Sequence, residues 1–116
     1  MEIEALLKKV IEFRDERDWA QYHNPKDLAI SISLEAAELL EIFQWKNPQE
    51  VQMLKSDVNA SKMVKEELGD IMIYTLTLAH EFDLDPTEII LDKIQINDKK
   101  YPKEKVKGKS DKYTAY

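Results

Sequence analysis

SLEAAELLEIFQW, residues 33–45, and EELGDIMIYTLTLA, residues 66–79, decide the fold of this chain of 116 residues. Both stretches are apolar on more than one face of a helix, and both carry acids at three-residue intervals. The acids are Glu35, Glu38 and Glu41 in the first stretch, and Glu67 and Asp70 in the second. Carboxylates inside an apolar helix are costly to bury unless they are paired or bind a cation. The two stretches therefore predict buried helices that present acids to a shared partner.

The composition restricts the class of protein. A chain of this length fits one domain, residues 1–116, and 43% hydrophobic residues is ordinary for a globular protein. Two glycines and four prolines favour long helices over a turn-rich β fold. A net charge of −6 argues against nucleic acid as a partner, and the lack of cysteine excludes disulfides and thiolate metal sites. No apolar run is long enough to span a membrane and no signal-peptide core is present, so we expect a cytoplasmic protein.

Hydrophobic periodicity and helix-start signals predict an all-α, four-helix bundle-type fold. Asn24-Pro25 and Asp85-Pro86 each place a capping residue before a proline, which is typical of a helix start. The predicted helices run from about Glu2 to Trp19, from Pro25 to about Trp45, from between Asp57 and Ser61 to near Phe82, and from Pro86 to about Lys99. Residues 48–58 are predicted to be a mixed connection with at most one short helical piece, and residues 101–116 a basic, irregular C-terminal tail.

The second and third helices carry more apolar residues than one small domain can cover. Their apolar positions do not form a single stripe, and a helix that is apolar all round is buried all round. We therefore expect a homo-oligomer, a dimer or a dimer of dimers, in which these helices complete a shared core. A compact monomeric bundle is the alternative.

The spacing of the acids predicts a metal site. Residues three apart on a helix lie about 60° apart around its axis, so Glu35 and Glu38 can converge on one ion, with Glu41 at the margin. Glu67 and Asp70 have the same spacing on the third helix, where Glu66 is expected to point elsewhere. Four carboxylates without histidine favour magnesium, or manganese in its place. Because magnesium often bridges carboxylates and phosphates, a phosphorylated substrate is indicated.

Two other roles for these acids fit the sequence less well. Pairing with lysine or arginine is disfavoured because neither residues 27–45 nor residues 66–91 contain one. A di-iron bundle normally uses Glu-x-x-His pairs, and His80 lies about 15 Å along the helix from Asp70.

With these motifs in place, the chain resembles the all-α nucleoside triphosphate pyrophosphohydrolases of the MazG-like group. SLEAAELLEIFQW followed by EELGDIMIY carries the resemblance. ERDWAQYHNPKDLA, INDKKYP and DKYT are similar to the dCTP pyrophosphatase branch of that group. The likeness covers most of the chain, from about Phe13 to Thr114, and it implies a homotetramer.

The resemblance also implies residue roles. Glu35, Glu38, Glu67 and Asp70 would bind magnesium, and Glu38 or Glu41 would position or deprotonate the attacking water. Trp45 would stack on the base, Trp19 and His23 would help to enclose it, and Tyr74 would contact the sugar and disfavour a 2′-hydroxyl. Contacts to the phosphates would come from Lys93, Asn97, Lys100, Tyr101, Lys109 and Lys112. Asp98 departs from the branch, which usually has a basic residue there.

The implied reaction is hydrolysis at the α-phosphorus of dCTP or a modified dCTP, giving a nucleoside monophosphate and pyrophosphate in nucleotide-pool sanitation. The residues themselves leave the base undetermined, because stacking does not distinguish one base from another. Related activities on dUTP, on dNTPs in general or on phosphoribosyl-ATP therefore stay open. So does a non-catalytic helical regulator that only binds a nucleotide.

Overall fold

In a computed structural model of the protein, which describes residues 1–109, the all-α prediction is confirmed and those residues form no strand. The helices are α1 Ile3–Glu16, α2 Pro25–Phe43, α3 Pro48–Leu54, α4 Val58–Glu81, α5 Pro86–Lys100 and α6 Lys103–Val106, with a 3-10 turn over Ala20–Tyr22. The long helices α2 and α4 pack along one another, α1 lies against α4, and α5 contacts α1.

The helix starts follow the predicted capping chemistry. The Asn24 side chain accepts a hydrogen bond of 2.9 Å from the backbone N–H of Asp27, and Pro25 follows as the first helical residue. Asp85 does the same for α5 by accepting from the N–H of Thr87. These short polar side chains satisfy backbone donors that the first turn of a helix leaves without a partner. Local sequence therefore determines where α2 and α5 begin.

Two helix ends lie closer to the N-terminus than predicted. Helix α1 ends at Glu16 and not at Trp19, because Asp18 adopts a left-handed conformation with φ of 54°. The N–H of Asp18 bonds to the carbonyl of Asp15, and the N–H of Trp19 to that of Arg14, which together form a Schellman closure. Glycine usually takes the left-handed position, so the sequence carries no clear stop signal here.

Helix α2 also stops early, at Phe43. Trp45, which was expected to belong to this helix, has φ of 71° and an exposed fraction of 92%. A left-handed backbone is uncommon for a bulky residue. Further along, the tail that was predicted to be irregular contains α6, whose first turn closes through hydrogen bonds from Lys105 and Val106 to the carbonyl of Pro102.

The interior of a single chain is shallow. Among residues 1–109, the buried apolar side chains are those of Leu28, Ile42, Ala60, Ala79 and Pro86. The chain exposes 9376 Å², whereas a compact monomer of this mass exposes about 6,600 Å². Its radius of gyration is 17.5 Å, compared with about 13 Å for a compact domain of this length. Within the described part, no helix is both long enough and apolar enough to cross a membrane.

Candidate metal and nucleotide site

The packing of α2 against α4 brings three of the four predicted metal ligands together. Glu35 and Glu38 project from α2, and Glu67 projects from α4. One carboxylate oxygen from each of them lies within 4.8 Å of the other two. We call these three residues the carboxylate cluster.

No basic side chain among residues 1–109 neutralises the carboxylate cluster. The ion pairs within residues 1–109 are those of Arg14 with Asp15 and Glu81 and that of Arg17 with Glu16. None of these pairs reaches the cluster. Oε2 of Glu35 and Oε2 of Glu67 are both buried and accept no hydrogen bond. Such oxygens require a proton or a cation, and an all-oxygen donor set fits a hard divalent ion.

The crowding of the carboxylates also changes their acidity. The adjacent carboxyl group of Glu67 raises the pKa of Glu35 above its usual range, and burial raises it further. The pKa of Glu38 is raised mainly by the adjacent carboxyl group of Glu35 and by its charge. In both cases the ionised form is disfavoured because like charges lie close together. A divalent cation would reverse this effect.

Asp70, the fourth predicted ligand, lies beside the carboxylate cluster. It is exposed and it lines a neighbouring cavity with Trp19, His23 and Tyr74. Its charge still contributes to the raised pKa of Glu35. Asp70 therefore stands between the cluster and the cavity.

A polar cleft of about 530 Å³ opens on another side of the carboxylate cluster. Its acidic lining consists of Glu38 and Glu41 from α2 and Glu66 and Glu67 from α4. Glu41 was expected at the margin of the cluster, and it lines the cleft without belonging to the cluster. Glu66 was expected to point elsewhere, but it lines the same cleft.

The neighbouring cavity, which we call the aromatic cavity, has a volume of about 210 Å³ and lies between α1, α4 and the 3-10 turn. Its rings follow one another: the centroids of Trp19 and His23 are 6.5 Å apart, and those of His23 and Tyr74 are 6.2 Å apart. Nδ1 of His23 is buried and has no hydrogen-bond partner. Burial, followed by the charges of Asp70 and Glu35, raises the pKa of Tyr74, so its hydroxyl keeps its proton. The cavity offers ring faces and a few polar atoms, as a nucleobase site requires.

Arg14 lines the aromatic cavity as well and was not among the predicted site residues. Among residues 1–109 it is the only charged residue that is buried. The sequence does contain one indication that Arg14 is buried: it lies one helical turn after Val10, on the apolar stripe of α1.

Several predicted nucleotide contacts lie outside these cavities in one chain. Trp45 follows the far end of α2 and lines neither the polar cleft nor the aromatic cavity. The same holds for four residues on or just after α5, namely Lys93, Asn97, Lys100 and Tyr101, and for Lys109. Lys112 lies outside the described residues.

Comparisons with known proteins agree with this architecture. The model of the MazG-like family matches residues 30–115. The chain is 35% identical to human dCTP pyrophosphatase 1 and 35% identical to the bovine protein of the same name, over 97% of this chain. It spans 66% of the length of each of these relatives. A crystal structure of a pyrophosphatase from Archaeoglobus fulgidus is similar with a TM-score of 0.77 and 44% identity, covering 86% of this chain and 92% of that one. The chain belongs to the MazG-like family.

Proposed function

We propose that this chain is a divalent-metal-dependent nucleoside triphosphate pyrophosphohydrolase that converts dCTP, or a modified dCTP, to the monophosphate and pyrophosphate. The observation that carries the proposal is the unneutralised carboxylate cluster directly beside the aromatic cavity. Membership of the MazG-like family and the names of the human and bovine relatives support it.

The carboxylate cluster would hold magnesium, and manganese would substitute for it. Glu35, Glu38 and Glu67 supply the ligands, and Asp70 supplies a further carboxylate from the side of the aromatic cavity. When bound, the ion neutralises charge on the phosphates and makes the phosphorus open to attack. The buried, unpartnered oxygens of Glu35 and Glu67 support this assignment.

Glu41 is the acid that we assign to the attacking water. It lines the polar cleft next to Glu38 but is not a member of the carboxylate cluster. Its carboxylate is therefore available to orient a water molecule and accept its proton, while Glu38 remains a ligand. Because the chain has no cysteine, a thiolate nucleophile is excluded.

The base would enter the aromatic cavity, between Trp19, His23 and Tyr74. His23 Nδ1 offers an unsatisfied polar atom to the edge of the base, and the ring of Tyr74 would leave no room for a 2′-hydroxyl. This position would direct the phosphates past Asp70 toward the carboxylate cluster.

A homo-oligomer would complete the site. The exposed area of the single chain and its groove of apolar side chains between α1, α4 and α5 support association. Trp45 and the basic residues on and after α5 would then contact a nucleotide bound to a neighbouring copy. This arrangement would explain why an almost fully exposed tryptophan adopts a left-handed backbone.

Pyrophosphate release tests the proposed function. We expect magnesium-dependent release from dCTP, with lower kcat/KM on dUTP, dTTP, dATP, dGTP, CTP and phosphoribosyl-ATP. Glu38→Gln should reduce kcat at least about 100-fold because it removes a metal ligand, while Glu4→Gln, on the exposed side of α1, should behave as wild type.

Two results would contradict the proposal. Normal turnover by Glu38→Gln would contradict the assignment of Glu38 as a metal ligand. Tight nucleotide binding without hydrolysis of any substrate would instead indicate a nucleotide-binding regulator.

A further inference from the structure

The end of α1 carries an ion pair to α4 that the proposed mechanism does not use. Nη1 of Arg14 donates a hydrogen bond of 2.6 Å to Oε1 of Glu81, in the last turn of α4. Nε of Arg14 donates to Oδ1 of Asp15 at 3.0 Å. The side chain of Arg14 has an exposed fraction of 9% and that of Glu81 31%. A short charge-assisted bond from a buried guanidinium to a partly exposed carboxylate restrains the distance between the two helices at this point.

The backbone of the same arginine orients Trp19. The carbonyl of Arg14 accepts the N–H of Trp19 at 3.1 Å in the turn that closes α1. Displacement of Arg14 therefore displaces Trp19 and, through the 3-10 turn that follows, His23. Both residues form walls of the aromatic cavity, and Arg14 lies in its lining.

Few other attachments hold this wall in place. The backbone hydrogen bonds of residues 19–23 are local, from Tyr22 to Trp19 and from His23 to Ala20. The Trp19 side chain is 43% exposed, so the core does not enclose it. Its ring contacts are with Phe13, which belongs to the same segment of chain, and with His23, and the Arg17 guanidinium lies 6.0 Å from its centroid. Within residues 1–109, the contact between His23 and Tyr74 is the one ring–ring contact that joins this wall to α4.

We infer that Arg14, through its ion pair with Glu81, is a positioning residue that holds the Trp19–His23 wall of the aromatic cavity at the distance a nucleotide base requires. The inference rests on the proposed function for its kinetic consequence. Arg14 itself touches no reacting atom, and the carboxylate cluster does not depend on it. Loss of the pair therefore weakens substrate binding and leaves the chemical step intact.

Steady-state kinetics of pyrophosphate release from dCTP test this inference. Arg14→Met and Glu81→Ala should each raise KM roughly ten-fold with kcat within about two-fold of wild type, as expected for misplacement of a binding wall. Glu81→Gln keeps an oxygen acceptor but loses the charge, so its KM should lie between those of the wild type and Glu81→Ala. The double variant Arg14→Met/Glu81→Ala should be no worse than either single variant, since both remove one interaction. Lys9→Met, which removes a positive charge from the exposed side of α1, is the matched control.

Fluorescence quenching tests the position of Trp19 directly and does not require the protein to hydrolyse a nucleotide. In a Trp45→Phe background Trp19 is the remaining tryptophan, so acrylamide quenching reports on its environment alone. Quenching should rise in Arg14→Met and Glu81→Ala, and should rise less in Glu81→Gln, which keeps a neutral acceptor for the guanidinium. If the wild type hydrolysed no nucleotide, the proposed function would be contradicted. The quenching experiment would still test whether the ion pair positions Trp19.

The inference is overturned by unchanged KM and unchanged quenching in Glu81→Ala. A second result would also overturn it: in Glu81→Ala, KM stays constant and kcat falls only in proportion to the loss of folded protein. That result indicates a purely structural role. If Arg14→Met does not fold, the comparison of Glu81→Ala with Glu81→Gln decides the matter.

Discussion

Glu35 shows at the scale of one residue how a binding site can oppose folding. Its pKa is raised because the ionised carboxylate faces Glu67 and is partly buried, so the folded protein holds its proton more tightly than the unfolded chain does. The stability that this proton contributes is fully present below the ordinary carboxyl pKa and is lost as the pH rises through the raised value. At neutral pH, the metal-free site therefore lowers the free energy of unfolding.

Glu35→Gln should remove this penalty. We expect the variant to have a higher Tm than wild type at pH 7 in the presence of EDTA, and the difference to shrink as the pH is lowered toward 4. Thermal unfolding followed by circular dichroism measures both values. Magnesium should raise the Tm of wild type more than that of Glu35→Gln, because the ion binds the folded form through this carboxylate. An equal response of the two proteins to magnesium would contradict the assignment.

Tyr74 is the residue at which sugar selection can be tested. Its ring lies one helical turn beyond Asp70 and forms part of the aromatic cavity. Tyr74→Ala should reduce the preference for dCTP over CTP, measured as the ratio of kcat/KM values, by about ten-fold, which is a typical effect of removing one steric contact. Tyr22→Ala, at an exposed tyrosine of the 3-10 turn, should leave the ratio unchanged.

At the scale of one helix, most boundaries were predictable, but the ends of α1 and α2 were not. Asn24-Pro25 and Asp85-Pro86 carry local chemistry that marks the first turn in the sequence itself. The end of α1 depends on Asp18, which takes the left-handed conformation that is usually marked by glycine. Aspartate is common in many other settings, so it gives no comparable signal.

The N-cap of α2 provides a stability prediction at this scale. Asn24→Ala removes the side-chain acceptor for the N–H of Asp27 and should lower the free energy of unfolding by about 1 kcal/mol. Urea denaturation measures this change. Asn59→Ala is the control, because Asn59 is an exposed helical residue of α4 with no capping role, and alanine is the better helix former. A Cm for Asn24→Ala equal to that of wild type would show that the cap contributes little.

The candidate site was predictable in outline and not in detail. The cost of buried carboxylates and the three-residue spacing predicted one cluster shared by two helices, and the structure brings Glu35, Glu38 and Glu67 together. Which acids of α4 face α2 depends on how the two helices cross, so the positions of Glu66 and Asp70 were not determined by spacing. Arg14 and Glu81 are 67 positions apart in the sequence, so no local sequence pattern predicts that they pair.

At the scale of the whole molecule, the apolar groove between α1, α4 and α5 is the feature that a single chain leaves unexplained. Ile90 lines this groove with an exposed fraction of 54%. Ile90→Lys should shift the protein to a smaller species in sedimentation velocity, because a charge would be buried in the proposed contact between copies. Val58→Lys, at an exposed apolar residue outside the groove, should sediment as wild type. Sedimentation of wild type as a monomer would contradict the proposed association.

The shallow interior has a consequence for the behaviour of the protein at low concentration. In the proposed homo-oligomer, a chain with so few enclosed apolar side chains would depend on its neighbours for stability, so the folded fraction would follow the total concentration. We expect turnover per chain to fall on dilution into the nanomolar range, and to recover after a lag when the stock is concentrated again.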